Sequence, residues 1–344
     1  MAIPDGRQNL ANRSARDLIR MGEQLLNIGR WDEAEKYFLF AVERAEQEND
    51  SEQQIWATQH LGRLCRDRGD FRQAMIMYQQ ALALAEGSGN RSLMGVIYDQ
   101  MGTAYFMQGG YPQAIEYYKK SLKIMEQRGE DQELAVIHGN LGLVYMQQGD
   151  YDRAIQAYEK AIELNIKTGR ESGAAKQYGN LGSVYFLQGK TDLAIEMYHK
   201  SLEITLRLGD DAISANQYGN LGNVHWKLGN YNQAIQMYQK ALKISEKIGD
   251  EPNTAKWYGN LAHMYQDIGD VGQALAYYHQ ALKTLERIGD RHNAAIAYLN
   301  LGLLYHTQGD VAQARAHYEK AKALFEMLGV APLAQRAAQA LRRL

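Results

Sequence analysis

Glycine followed by asparagine stands at 139–140, 179–180, 219–220 and 259–260, and Asn300 continues the asparagine series by one step. An asparagine amide offers both a donor and an acceptor. Amides set at one repeated spacing can pair with the backbone of an extended peptide without reading its side chains. Gly139, Gly179, Gly219 and Gly259 place no side chain beside those amides, so a foreign backbone can come close. Large apolar residues recur at the same spacing, as Phe106, Met146, Phe186 and Trp226. They would serve either as pockets for a ligand's side chains, where binding energy concentrates, or as core. Asn223 differs from its counterparts Leu143, Ser183 and His263, a variation that suits specificity better than structure. Arg20, Arg63 and Lys227, with Arg16, Arg66, Lys176 and Lys256, add positive charge. An acidic segment would meet it through charge-assisted hydrogen bonds; the alternative is a solvated helix face.

Other chemistry is absent from the pattern. "QGKT", Gln188 to Thr191, has the tail of a phosphate-binding loop, but Val184 stands where its first glycine should be. "GNLGN" lacks the preceding strand that a dinucleotide fingerprint requires. The nine histidines show no metal spacing. His138 and His225 take aromatic core slots, and Cys65 stands where Tyr105 and Tyr145 do, so a buried, inert thiol is expected there. No serine or cysteine has a base nearby, so no enzyme, cofactor or metal is expected.

Bulk properties narrow the partner. The formal net charge of −2 over 344 residues leaves no electrostatic footprint for nucleic acid or an anionic membrane. The first residues contain no apolar core of a signal peptide, and no apolar run approaches the roughly 20 residues of a membrane span. A single cysteine forms no intrachain disulfide and suits a reducing cytoplasm. The 23 tyrosines and 32 glycines against 4 prolines ask for an internal repeat.

That repeat has a period of 40: Gly29, Gly69, Gly109, Gly149, Gly189, Gly229, Gly269 and Gly309. Ala34 to Ala314 follow at the same step, as do Phe38 and then Tyr78 to Tyr318, and small residues at 41 to 321. Eight units occupy residues 13–329 without an insertion, so no second domain and no linker is expected. Each unit reads as helix A, turn, helix B. In the sixth, A is expected at about 212–228 and B at 231–248, with Gly229 closing the first and Asn230 capping the second. Helix B carries an apolar stripe of Tyr231, Ala234, Ile235, Tyr238, Ala241 and Leu242. Residues 1–12 are expected to be flexible. Residues 330–344 are expected to form a capping helix with Leu333, Ala337, Leu341 and Leu344 inward and Arg336, Arg342 and Arg343 outward. Helix A is numbered so that Asn216 is position 2 and Asn220 position 6. A 3.6-residue period then puts Tyr218, Leu221, Gly222 and His225 on a core face. Asn216, Gly219, Asn220, Asn223, Trp226 and Lys227 fall opposite.

Small and aromatic residues at these offsets identify the chain as similar to tetratricopeptide repeat proteins over about residues 14–329. The 40-residue spacing and "YGNLGNVHWKLGNYNQAIQMYQKALKISEKIGD" at 218–250 resemble a narrower set, the Leu-Gly-Asn-repeat polarity adaptors and kinesin light chain. That match is best over repeats four to seven and weakens at Ile19-Arg20 and Gln59-His60. Bacterial regulators with 40-residue repeats fit the period equally well. The resemblance implies an all-α, right-handed α-solenoid superhelix of eight helix-turn-helix units plus a C-terminal cap. It also implies that A helices line the concave side. Asn140, Asn180, Asn220, Asn260 and Asn300 would then stand inside a groove, where asparagines of those adaptors hold peptides. The expected function is a non-catalytic scaffold that binds an extended, acidic segment of a partner protein. The alternatives are a self-associating structural protein, in which the basic final helix docks into a neighbouring copy, and a peptide-sensing regulator.

Overall fold

A computed structural model describes residues 13–344, so the segment 1–12, expected to be flexible, lies outside the described residues. Among them are seventeen helices and no strand. The A helices are α1 (Ala15–Asn27), α3 (Ser51–Asp67), α5 (Arg91–Met107), α7 (Asp131–Gln147), α9 (Glu171–Leu187), α11 (Asp211–Lys227), α13 (Glu251–Asp267) and α15 (Arg291–Thr307). The B helices are α2 (Trp31–Glu48), α4 (Phe71–Gly87), α6 (Tyr111–Arg128), α8 (Tyr151–Lys167), α10 (Thr191–Leu208), α12 (Tyr231–Ile248), α14 (Val271–Ile288) and α16 (Val311–Met327). α17 (Ala331–Leu341) closes the chain. Backbone contacts divide the chain after Arg170 into two compact units. One contains α1–α8, the other α9–α17. Within each, an A helix packs along its own B helix, and that B helix packs on the next A helix.

Turn chemistry explains the regular alternation. Gly229 ends α11 at φ 75°, and Asn49 does the same duty after α2 at φ 53°. Asparagine tolerates that left-handed conformation better than most residues. Asp250 then caps α13, its side chain accepting from the Asn253 backbone N–H at 3.2 Å. Asn230 departs from expectation. It holds the first position before α12, but its side chain makes no capping bond.

The two helix types are buried differently. α12 keeps one stripe, with Ala234, Ile235, Tyr238, Ala241, Leu242 and Ser245 buried and Tyr231, expected within it, exposed. α11 is enclosed on several sides: Ser214, Ala215, Gln217, Gly219, Leu221, Gly222 and Val224 are all buried. The two-face reading of helix A therefore fails. Tyr218 and His225, expected in the core, are half-buried, while Gly219, expected to be free, is buried. In α17, Ala334 and Ala337 are buried, and Leu333, Leu341 and Leu344 pack against the same core cluster.

One contact joins A to B in nearly every repeat. A Cβ on Gly222 would lie 2.6 Å from Tyr238 Cε1. The same wedge pairs Gly22 with Phe38, Gly62 with Tyr78, Gly102 with Tyr118, Gly142 with Tyr158, Gly182 with Tyr198, and Gly302 with Tyr318. The buried phenol must then find a partner for its hydroxyl. In three repeats position 9 of helix A supplies it. Tyr238 Oη donates to Asn223 Oδ1 at 2.7 Å, Tyr198 Oη to Ser183 Oγ at 3.2 Å, and Tyr118 Oη shares a 3.1 Å bond with Thr103 Oγ1. Leu143 holds position 9 in the fourth repeat, and the buried Tyr158 hydroxyl has no partner. Asn223, expected to read a ligand, thus has its carbonyl committed to the fold. Removing a bonded hydroxyl and an orphaned one should have opposite effects. Tyr238→Phe is expected to cost about 1 kcal/mol, whereas Tyr158→Phe leaves stability unchanged or raises it. Urea denaturation of the two variants, side by side, checks the contrast.

Candidate functional site

The expected asparagines sit in different surroundings in the two units. In the first unit, Asn140 Nδ2 of α7 donates to Asp99 Oδ1 of α5 at 3.0 Å. Asp99 holds position 5, the place glycine takes in the next four repeats. Burial raises its carboxyl to about 6, against the opposing pull of the Asn140 amide and Arg66. Arg66 reaches Gln100 Oε1 at 2.8 Å and its neighbour Asp67. Arg63 pairs with Asp67 at 3.6 Å and exposed Arg20 with Asp17 at 3.5 Å. Phe106 leans on Tyr111, with 5.9 Å between ring centres, and Met146 is half-buried. Gly139 is buried.

In the second unit, Asn180 Nδ2 donates to Gln177 Oε1 at 3.0 Å and Asn220 Nδ2 to Gln217 Oε1 at 3.3 Å, each within its own helix. Those glutamines, at position 3, escaped the sequence reading, and Gln217, with Trp257 at the same position one repeat on, explains two of the position-5 glycines. A Cβ on Gly179 would lie 2.9 Å from Gln217 Cδ of the next A helix, and one on Gly219 would lie 2.7 Å from Trp257 Cζ2. At these two junctions, position 3 of an A helix fills the space over position 5 of the A helix before it. The expectation that Gly179 and Gly219 leave room for a foreign backbone is corrected: the chain's own side chains occupy that room. Trp257 is fully buried, stacks near Tyr238 with 6.2 Å between ring centres, and donates Nε1 to Ser245 Oγ at 3.1 Å.

Gly259 is different. The next position 3 is Ala297, too small to reach it, and a Cβ on Gly259 would meet nothing within 4 Å. A cleft of about 550 Å³ opens there. It gathers Asn223, Trp226, Gly259, Asn260 and Asn300 from the expected set, together with Lys256, His263, Asn293 and Ile296. Trp226, 42% exposed, is held at the rim by a 2.9 Å bond from Nε1 to Asp267 Oδ2 of α13 and by edge-on contact with His263. Phe186 and Lys227 lie outside the cleft. The Lys227 ammonium stands 4.7 Å over the Phe186 ring. Among the described residues, no group of three or more His, Cys, Asp or Glu side chains could hold a metal ion. No described helix is long and apolar enough to cross a membrane.

Helix pairs stacked at a 40-residue period, with a cleft between successive A helices, define a helical-repeat protein. The chain belongs to the tetratricopeptide repeat family, whose model matches residues 14–87, 93–167, 174–247 and 253–327. A second tetratricopeptide repeat model matches 140–205 and 220–278. No curated protein matches the chain. Among solved structures, it is similar to a Signal Transduction ATPase with Numerous Domains protein with a tetratricopeptide repeat sensor from Pyrococcus horikoshii. The TM-score is 0.71 at 14% identity, covering 94% of this chain and 50% of that one, so this chain spans half the length of that protein. The apo form of RapI is similar with TM-score 0.70 at 15% identity, covering 96% of both chains. A Rap protein complexed with Competence and Sporulation Factor follows with TM-score 0.60 at 15% identity and the same coverage. At such identities the likeness concerns the fold.

Two consequences can be measured. Gly219→Ala drives a methyl into the buried Trp257 ring and is expected to cost about 1–3 kcal/mol. Gly259→Ala meets open space and replaces a poor helix former, so its stability in urea should hold or rise by up to about 1 kcal/mol. The second consequence concerns Asp99. Its folded pKa, about 6, lies above the unfolded value. Protonation therefore favours the folded state, and that contribution is lost as pH rises from about 4 through 6. Relative to Asp99→Asn, the wild type is expected to lose on the order of 2 kcal/mol between pH 4 and pH 7.5. Denaturant midpoints of both proteins across that range test the sign.

Proposed function

We propose that the protein is a non-catalytic interaction scaffold whose A helices bind an extended segment of a partner protein. The observation that carries this reading is the cleft over Gly259, in which the Asn260 and Asn300 amides converge with an exposed indole and a lysine. Its volume falls in the range of about 300–1,000 Å³ typical of ligand sites. Asn260 offers a donor and an acceptor to a backbone running across successive A helices, and Asn300, whose amide N–H serves the Tyr278 hydroxyl, offers its carbonyl. The tetratricopeptide repeat is a protein-interaction module. The similar fold of a Rap protein complexed with Competence and Sporulation Factor is in keeping with such use. Lys256 favours an acidic segment, because it makes no ion pair among the described residues and feels only the more distant Asp250, whereas Arg20 and Arg63 pair directly with carboxylates. A cytoplasmic setting fits the lone, half-buried Cys65.

The test is a selection of random peptides displayed on phage against the full chain, followed by affinity measurements with the synthetic winners. The double variant Asn260→Ala/Asn300→Ala removes two amide contacts of roughly 1 kcal/mol each. It is expected to weaken binding tenfold or more with its helical circular dichroism intact. Unchanged affinity in the folded double variant would overturn this reading.

A further inference from the structure

Position 3 over position 5 is a repeated fitting between successive A helices, and it is left unfilled at one place. Over Gly179 stands Gln217, over Gly219 stands Trp257, and over Gly259 stands only Ala297. Within the fold, the place above such a glycine accepts an indole: Trp257 lies against Gly219 closely enough that a single methyl would collide with three of its ring atoms. The equivalent place above Gly259 has the same helix-to-helix framework and no ring.

We propose that this place is a socket for one large aromatic side chain of a bound partner segment, with an aspartate or glutamate beside it to meet Lys256. The proposal rests on the partner-binding reading above. A socket of about 550 Å³ takes a ring with room for the backbone that carries it. Its lining suits a ring, since Ile296, Ala297, Met264 and Leu285 are apolar. Its rim suits a peptide, since Asn260 and Asn300 stand where the backbone on either side of the ring would pass. The charge is specific as well. Asp290, the acidic residue at the rim, is engaged in capping α15, where it accepts from the Asn293 backbone N–H at 3.0 Å and from its amide at 2.7 Å. Lys256 holds its ammonium 4.4 Å from the Trp257 ring centre and makes no ion pair among the described residues, the Asp250 carboxylate that caps α13 acting on it only at longer range.

The decisive variant is Ala297→Trp, which gives Gly259 the ring that Gly219 already has. Ala297→Leu is a milder filling, and the aromatic-to-alanine change in the peptide needs no variant of the protein. Peptides selected from a random phage library against the full chain should share one Trp, Tyr or Phe next to an acidic residue. Changing that ring to alanine should weaken binding at least tenfold, and Ala297→Trp should do the same. Combining the two changes should add little to either alone, because both remove one interaction. Lys256→Gln should weaken binding several-fold, and only for peptides that keep the acidic neighbour. The socket is refuted if the selected peptides carry no shared ring. It is equally refuted if folded Ala297→Trp and Ala297→Leu bind them as the wild type does. In either case, loss of binding in Asn260→Ala/Asn300→Ala leaves the partner-binding reading standing. Enrichment of no peptide at all overturns both.

Discussion

The structure depends on an aromatic ring pressed flat against a glycine. Gly222 and Tyr238 set the distance between the two helices of a repeat, and six further repeats use the same pair of positions. The ring supplies the buried area that a short helix pair otherwise lacks. The missing Cβ lets the backbone of helix A come within van der Waals reach of it. Each repeat still leaves apolar surface on its flanks, which only the next repeat covers, so stability accumulates along the array. The seventh repeat departs from the pair: Ala262 takes the glycine's place there, and Tyr278 nonetheless remains almost fully buried. The hydroxyl at the far end of the ring favours a polar residue at position 9, as Thr103, Ser183 and Asn223 supply, though Tyr158 goes without one and Tyr278 turns to Gln266.

A second ring-on-glycine contact acts between neighbouring A helices in the second unit. It differs from the first in being variable. The residue at position 3 changes from Gln217 to Trp257 to Ala297, and the space over the preceding glycine changes from filled to open. A fold that is nearly uniform from repeat to repeat thereby acquires a local cleft over Gly259. Two positions, 3 and 5, decide between a closed seam and a site, and the remaining side chains of the repeat need not change.

Much of this was legible in the sequence. The period of 40, the glycine turns, the pairing of helices and the packing of Tyr238 against Gly222 follow from residue types at fixed offsets. What was missed lies between repeats. A helical wheel assigns one buried face to each helix, but α11 touches α12, α10 and its neighbouring A helices, so Gly219 is buried on the side the wheel leaves open. Gln177, Gln217 and Trp257 attracted no notice because glutamine is commonly exposed and a single tryptophan breaks no pattern. Listing position 3 against position 5 of the previous repeat would have exposed both the filling and the gap at Ala297. Asn223 was misjudged for a related reason. Its variation among Leu143, Ser183 and His263 looked like ligand choice, yet its oxygen serves the Tyr238 hydroxyl. The asparagines at position 6 are half-buried, and the bonds of Asn140, Asn180 and Asn220 to Asp99, Gln177 and Gln217 depend on side-chain reach, which periodicity does not encode.

The unbroken 40-residue register has a consequence for how such a chain changes over generations. Because position 3 faces position 5 in the same way at each junction of the second unit, a cavity is encoded by one codon rather than by a loop or an insertion. A substitution that shrinks Trp257 and another that enlarges Ala297 would slide the opening back by one repeat, leaving the turns, the caps and the tyrosine wedges as they are. The array then behaves as a strip of interchangeable positions, and an opening can drift along it while the scaffold underneath keeps its packing.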